Sequence, residues 1–251
     1  MLKILSRIGC VIAVISSACV FPSCEGGVSG KDRRADTVAK AESVKEDSAE
    51  TPVSRKASGV ADICADGYIN GHGYVDLGLP SGTKWATMNV GATAAEECGI
   101  YIAWGEIKPK TIYAGENSKT LGDNSYNRDI SGEKDADVAT AMWGGQWSMP
   151  TESQMKELVA NCTMEWSELN GVKGLKVTGR KTGRWIFLPA AGTAGSVGNA
   201  NFVGVLGRYW SGSPYADNSF SAYNLYFKKD RISVDWDLRR YGNSVRPVSK
   251  Q

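Results

Sequence analysis

One histidine, His72, is present among 251 residues, so any serine- or cysteine-type nucleophile must use it as its base. It stands in Asn70-Gly71-His72-Gly73, a glycine-flanked turn ahead of the first strand pattern, where a solvated loop histidine is expected. Carboxylates are more plentiful. Asp235 and Asp237 share one face of a strand or its end, and Asp230 lies in the preceding turn. Clustered carboxylates and carbonyls suit a hard cation such as Ca²⁺. The same acids equally suit plain solvation beside Arg231, Arg239 and Arg240. Asp123, Asn124, Asn127 and Asp129 form a second oxygen-rich stretch of this kind. Neither a nucleophile–base pair nor a complete metal set emerges, so a chain that is not an enzyme, with no required cofactor, is expected.

Cys24 carries the most definite chemistry. Lys3 and Arg7 form a short basic start, and Ile8 to Val20 is an unbroken run of apolar and small residues. That run is about 13 residues, whereas a spanning helix needs about 20. A basic start, a short apolar run and a small residue before a cut define a signal peptide. Phe21-Pro22-Ser23-Cys24 is similar to a bacterial lipobox, with Phe21 where Leu is usual. The similarity implies cleavage after Ser23, removal of residues 1–23 and acylation of Cys24. Ser17-Ala18-Cys19 is the rival site inside the apolar run, and an ordinary cut nearby is the other alternative. Several acyl chains on one cysteine anchor durably, because each buried CH₂ contributes about 0.8 kcal/mol. A cell-envelope location, at the outer membrane, follows.

Residues 24–65 are expected to form the lipidated cysteine and a flexible tether. From Glu25 to Gly67 there is no Phe, Trp or Tyr, and such a stretch buries too little apolar area to offset its ordering entropy. Every aromatic except Phe21 lies at or beyond Tyr68, which places one globular domain at 66–251. The formal charge of +2 is small and Lys and Arg form no strong cluster, so nucleic acid is not an expected partner.

Within that domain Thr151-Glu152-Ser153-Gln154 is a capping box, followed by Met155, Leu158, Val159 and Cys162 at helical spacing. Strand patterns cover Tyr74 to Leu77, Lys84 to Val90, Trp185 to Leu188, Ala222 to Phe227, Ile232 to Trp236 and Ser244 to Val248. Lys108 to Asp137 and Gly192 to Gly207 are long glycine-punctuated loops. The expected class is α+β, with an antiparallel sheet, one clear helix and long irregular loops.

Ordered motifs carry a resemblance. Tyr74-Val75-Asp76-Leu77-Gly78-Leu79-Pro80-Ser81-Gly82, Trp85-Ala86-Thr87, Ala103-Trp104-Gly105-Glu106, Trp147-Ser148-Met149-Pro150-Thr151, Phe187-Leu188-Pro189-Ala190-Ala191-Gly192, Tyr209-Trp210-Ser211 and Ser244-Val245-Arg246-Pro247-Val248 resemble the Fibrobacter succinogenes major paralogous domain. The resemblance spans about Gly73 to Val248. It implies an exported lipoprotein of the Bacteroidetes type and a C-type lectin-like fold of the branch shared with formylglycine-generating enzymes. That enzyme's late cysteine pair is missing, since no cysteine follows Cys162. The histidines of the related iron-dependent sulfoxide synthases are missing too. In relatives the Asn-Cys-Thr cysteine partners one in an Ala-Thr-Cys-Asn strand. Met88 stands at that position here, so the resemblance leaves Cys98 as the substitute partner of Cys162, or Cys162 as a buried thiol.

The resemblance also directs ligand binding to the C-terminal region. Tyr215, Asn218, Tyr223, Asp235, Trp236, Asp237, Arg239, Arg240 and Tyr241 combine rigid rings with adaptable polar groups, as recognition surfaces do. Proteins diversified by retroelements show similar residues at exposed alternating sites. Along Tyr223 to Phe227, size places Tyr223, Leu225 and Phe227 inward and Asn224 and Tyr226 outward, unless the register slips by one. Trp210 is expected in the core. The expected function is non-enzymatic binding of a protein or glycan at the cell surface, with Trp236 or Tyr241 stacking on sugar. The alternative is a structural or accessory part of a cell-envelope assembly, such as a fimbrial tip.

Overall fold

The computed structural model describes residues 63–250. Residues 1–62, and with them the expected signal peptide, Cys24 and nearly all of the expected tether, lie outside the described residues.

Two Asn-Gly turns set the local logic. Asn70 (φ +48°) and Gly71 (φ +80°) join β1 (Gly67–Ile69) to β2 (His72–Val75). Both central residues have positive φ, the twist that lets a two-residue turn return a strand on its neighbour. After a further turn comes β3 (Thr83–Ala86). The chain then runs irregularly to a short helix α1 (Val138–Trp143), capped by the Asp137 carboxylate. Helix α2 (Glu152–Asn161) begins at Thr151, whose side chain accepts the Gln154 N–H while Gln154 bonds back to the Thr151 N–H. The expected capping box is thus present, and Met155 and Leu158 are buried.

Strand β4 (Cys162–Leu169) follows without a break, so Cys162 ends the helix and opens a strand. Asn170 (φ +49°) and Gly171 (φ +83°) repeat the first turn and lead into β5 (Val172–Gly179), with Leu169 opposite Val172. Next come β6 (Trp185–Pro189), the short β7 (Thr193–Ala194) and β8 (Ala200–Asn201), then β9 (Leu206–Pro214), β10 (Ser221–Lys228), β11 (Arg231–Leu238) and β12 (Val248–Lys250). The sheets are ordered β1-β2-β3-β12, β4-β5-β6, β7-β8 and β11-β10-β9. All named strand pairs are antiparallel.

The α+β, C-type lectin-like expectation is therefore corrected. Among the described residues strand accounts for 37% and helix for 12%, with one helix of substance, so the fold is β-rich. Much of the excess strand lies in the β4–β5 hairpin, which Asn170-Gly171 signalled and periodicity alone passed over, and in β9. The expected last strand, Ser244 to Val248, is also corrected: Ser244 makes only an isolated bridge to Tyr209, and pairing with β3 begins at Val248.

The sheet β11-β10-β9 separates two cores. Tyr209, Leu225 and Phe227 pack with Leu158, Cys162, Leu175 and Leu188. Trp210 and Ala222 pack with Trp104, Trp147 and Val245. Adjacent residues on β9 thus enter different cores, as strand alternation requires. Trp210 is fully buried and its indole N–H donates to the Ile102 carbonyl at 2.8 Å.

Two buried arginines fasten the loops. Arg246 Nε donates to Asn89 Oδ1 (2.8 Å), Nη1 to the Ala86 carbonyl (3.0 Å) and Nη2 to the Phe187 carbonyl (2.8 Å). Arg239 donates to the carbonyls of Ser221, Thr120, Asp123 and Tyr126 and to Asn127 Oδ1. Its guanidinium lies 4.5 Å from the Trp104 ring centre. Burial pushes each guanidinium down to about 10.

Candidate functional site

The β10–β11 hairpin positions most of the expected binding residues. It turns at Lys229-Asp230, and Tyr223 pairs with Trp236, Asn224 with Asp235 and Ala222 with Asp237. Between Ala222 and Asn224 the pairing to β9 slips, because Trp210 to Pro214 spends two extra residues there. The face that carries Ala222 and Asn224 is covered at this end of the hairpin. Leu225 and Phe227 are buried as expected and Tyr223 is half-buried, but Asn224 is buried too. The outward placement of Asn224 is therefore corrected, and Tyr226 is half-buried beside Arg208 and Arg231.

The expected patch divides between the two faces of the sheet. On one face Tyr215, Tyr223 and Trp236 form a ring cluster. Tyr215 stacks on Trp236 (centroids 5.4 Å, 28°) and meets Tyr223 edge-on (5.4 Å, 75°). Trp236 remains 47% exposed. The Asp217 carboxylate beside Tyr215 raises the pKa of its hydroxyl above the ordinary value. Asn218 sits exposed in the adjoining turn, with its Oδ1 accepting the Phe220 N–H at 3.0 Å.

On the other face Asp237 contacts Arg208 at 3.0 Å. Burial raises the Asp237 carboxyl, while Arg208, the Leu238 N–H and Asn243 pull it down. Thr193, Gly195, Asn201, Phe202, Leu206, Arg208, Asp237 and Tyr241 enclose a cavity of about 370 Å³. Arg240 lies over the Tyr241 ring at 4.6 Å and bonds its hydroxyl at 3.1 Å. Arg208 and Phe202 were not legible as site residues. Their one signal was the Gly192 to Gly207 loop, whose Val197, Phe202, Val203 and Val205 are all exposed.

Arg239 does not belong to this surface. It is fully buried and its donors are committed to five acceptors, so its expected role in ligand binding is corrected to holding the 120–127 loop. Neither oxygen-rich stretch converges on a cation. Asp230 pairs with Lys228, Asp235 with Arg231 and Asp237 with Arg208. Asp123 caps Ser125, Asn127 binds Arg239, and Asp129 accepts from Ser131 and Ser213. Among the described residues no group of three His, Cys, Asp or Glu is placed to hold a metal.

The expected Cys98–Cys162 disulfide is not formed, and both thiols are free. Cys162 points into the core beside Leu158 and Val177, where burial raises its thiol to about 11. Cys98 is half-buried near Tyr101, also with a raised pKa. His72 is not a solvated loop residue. It opens β2 and stacks on Trp143 (centroids 3.7 Å, 6°), and burial lowers its pKa. No protein-family model, curated protein or solved structure matches this chain.

Proposed function

We propose that this chain is a non-enzymatic surface protein, lipid-anchored at Cys24, that binds a protein or glycan ligand through the Tyr215–Tyr223–Trp236 face. The observation that carries the reading is the joined ring cluster with Trp236 left 47% exposed. Tyr and Trp give large rigid contact area at low entropic cost, and Asp217 and Asn218 beside them supply hydrogen bonds. The lipobox-like motif and the resemblance of the ordered motifs to those of exported lipoproteins support the reading of an outer-membrane anchor.

A glycan array and a protein pull-down, each run with the native chain and Trp236→Ala, form the test. The expected result is binding that falls at least about tenfold in the variant, or about 1.4 kcal/mol, with a melting temperature lowered by no more than about 2–4 °C. Glycan binding and protein capture distinguish the ligand classes. Ligand binding that Trp236→Ala leaves intact, or none in either assay, overturns the reading. The absence of acyl mass on the peptide carrying Cys24 overturns the anchor.

A further inference from the structure

The cavity on the opposite face of the sheet has a charge pattern that restricts its occupant. Two charged side chains line it, Arg208 and Asp237, one of each sign and in contact at 3.0 Å. Both are largely withdrawn from solvent, with side-chain exposures of 25% and 14%. Among the described residues the Arg208 guanidinium has no protein acceptor beyond Asp237, which Nη1 meets at 3.0 Å, so its remaining N–H donors are unspent. Its other neighbour is the Tyr226 ring, 4.9 Å away. Phe202 and Tyr241 supply apolar walls, and Asn201 and Thr193 supply polar ones. Phe202 is held at φ +62°, a conformation uncommon for a bulky residue. The loop bears that strain while leaving the ring at the cavity mouth, 60% exposed.

A singly charged ligand is a poor match. An anion on Arg208 displaces Asp237 and leaves a withdrawn carboxylate unpaired, and a cation on Asp237 does the reverse. Breaking such a pair on one side leaves the other charge withdrawn and without its partner, which disfavours either exchange. A ligand carrying both charges on adjacent atoms exchanges one ion pair for two and strands neither partner. Its carboxylate meets the guanidinium fork, which binds that group in a bidentate manner. We propose that this cavity binds a free α-amino acid as its zwitterion, the carboxylate on Arg208, the ammonium on Asp237, and an apolar side chain between Phe202 and Tyr241. This site is separate from the Trp236 face and does not depend on its ligand.

Titration calorimetry of the full chain with phenylalanine and leucine tests the proposal, with 3-phenylpropanoate and phenethylamine as single-charge analogues. Binding of at least one amino acid is expected, with both analogues weaker by about tenfold or more. Gly195→Leu blocks the cavity while keeping both charges, since a Cβ there lies 4.0 Å from the Tyr241 ring, and it abolishes binding. Should that variant not fold, Arg208→Gln must lose binding in its place. Trp236→Ala leaves amino-acid binding unchanged, which separates this site from the ring cluster. No heat from either amino acid at about 10 mM overturns the proposal. So does an analogue that binds as well as phenylalanine, or binding that survives the cavity-blocking variant.

Discussion

Arg239 and Arg208 serve the same three-stranded sheet and are used in opposite ways. Arg239 follows β11, is fully buried, and has its donors committed to loop carbonyls and Asn127. Arg208 lies on β9 at the rim of a cavity, held by one carboxylate and a ring. The lesson is that charge and aromatic neighbours do not distinguish architecture from recognition. What distinguishes them is whether the donors are spent. Spent donors fix loops to the sheet, and unspent ones are available to a ligand.

The contrast is most sharply tested at its buried end. Arg246→Ala orphans Asn89 Oδ1 and the carbonyls of Ala86 and Phe187, and Arg239→Ala orphans the 120–127 loop. Each is expected to cost about 3–5 kcal/mol in urea unfolding, the range for breaking a buried polar cluster. Arg208→Ala is expected to cost about 1 kcal/mol or less, because its partner is one partly exposed carboxylate. Equal losses at Arg208 and Arg239 would break the comparison.

The same division applies to tryptophan. Trp210→Ala empties a buried site and removes one of the two hydrogen bonds to the Ile102 carbonyl, for an expected loss of about 3–5 kcal/mol. Trp236→Ala removes a half-exposed ring whose main contact is Tyr215. Thermal unfolding should move by about 1 kcal/mol or less, near the value of one aromatic pair. A large loss there would transfer Trp236 from the recognition surface to the core.

The capping box at Thr151 gives a smaller effect and shows what a single sequence makes legible. Thr151→Ala should cost about 1 kcal/mol, the usual value for losing an N-cap oxygen, read from the same unfolding curves. Everything in that motif is local, with residues three apart bonding one another, so spacing revealed it. The β10–β11 hairpin was legible for the same reason. The β4–β5 hairpin was equally local, and Asn170-Gly171 announced it. It was overlooked because a helical pattern ending at Cys162 absorbed its first residue. Asn224 was misplaced for a non-local reason: the extra residues in β9 bring Trp210 and its core against the second face. The cavity was illegible because Arg208 and Asp237 meet only through the pairing of three strands, with Phe202 supplied by a loop. Arg239 differed from Arg240 by one position in the sequence and by complete burial in the fold.

The smallest expected effect lies in the pH dependence that Asp237 contributes. Burial raises its folded-state pKa, outweighing Arg208, the Leu238 N–H and Asn243. The folded chain then keeps this proton to higher pH than the unfolded chain does, whose carboxyl titrates near 3.9. The stabilising contribution is fully present below that unfolded value and is lost as pH rises through the folded one. Asp237→Asn cannot titrate. The stability difference between variant and native chain should therefore shift in the variant's favour as pH rises from about 4 to 7, measured by urea unfolding at each pH. A shift in the opposite direction would mean that Arg208 outweighs burial and depresses the carboxyl. The pair would then be a fixed structural contact, as the bonds of the loop-fastening arginines are, and the two regions would differ in exposure but not in kind.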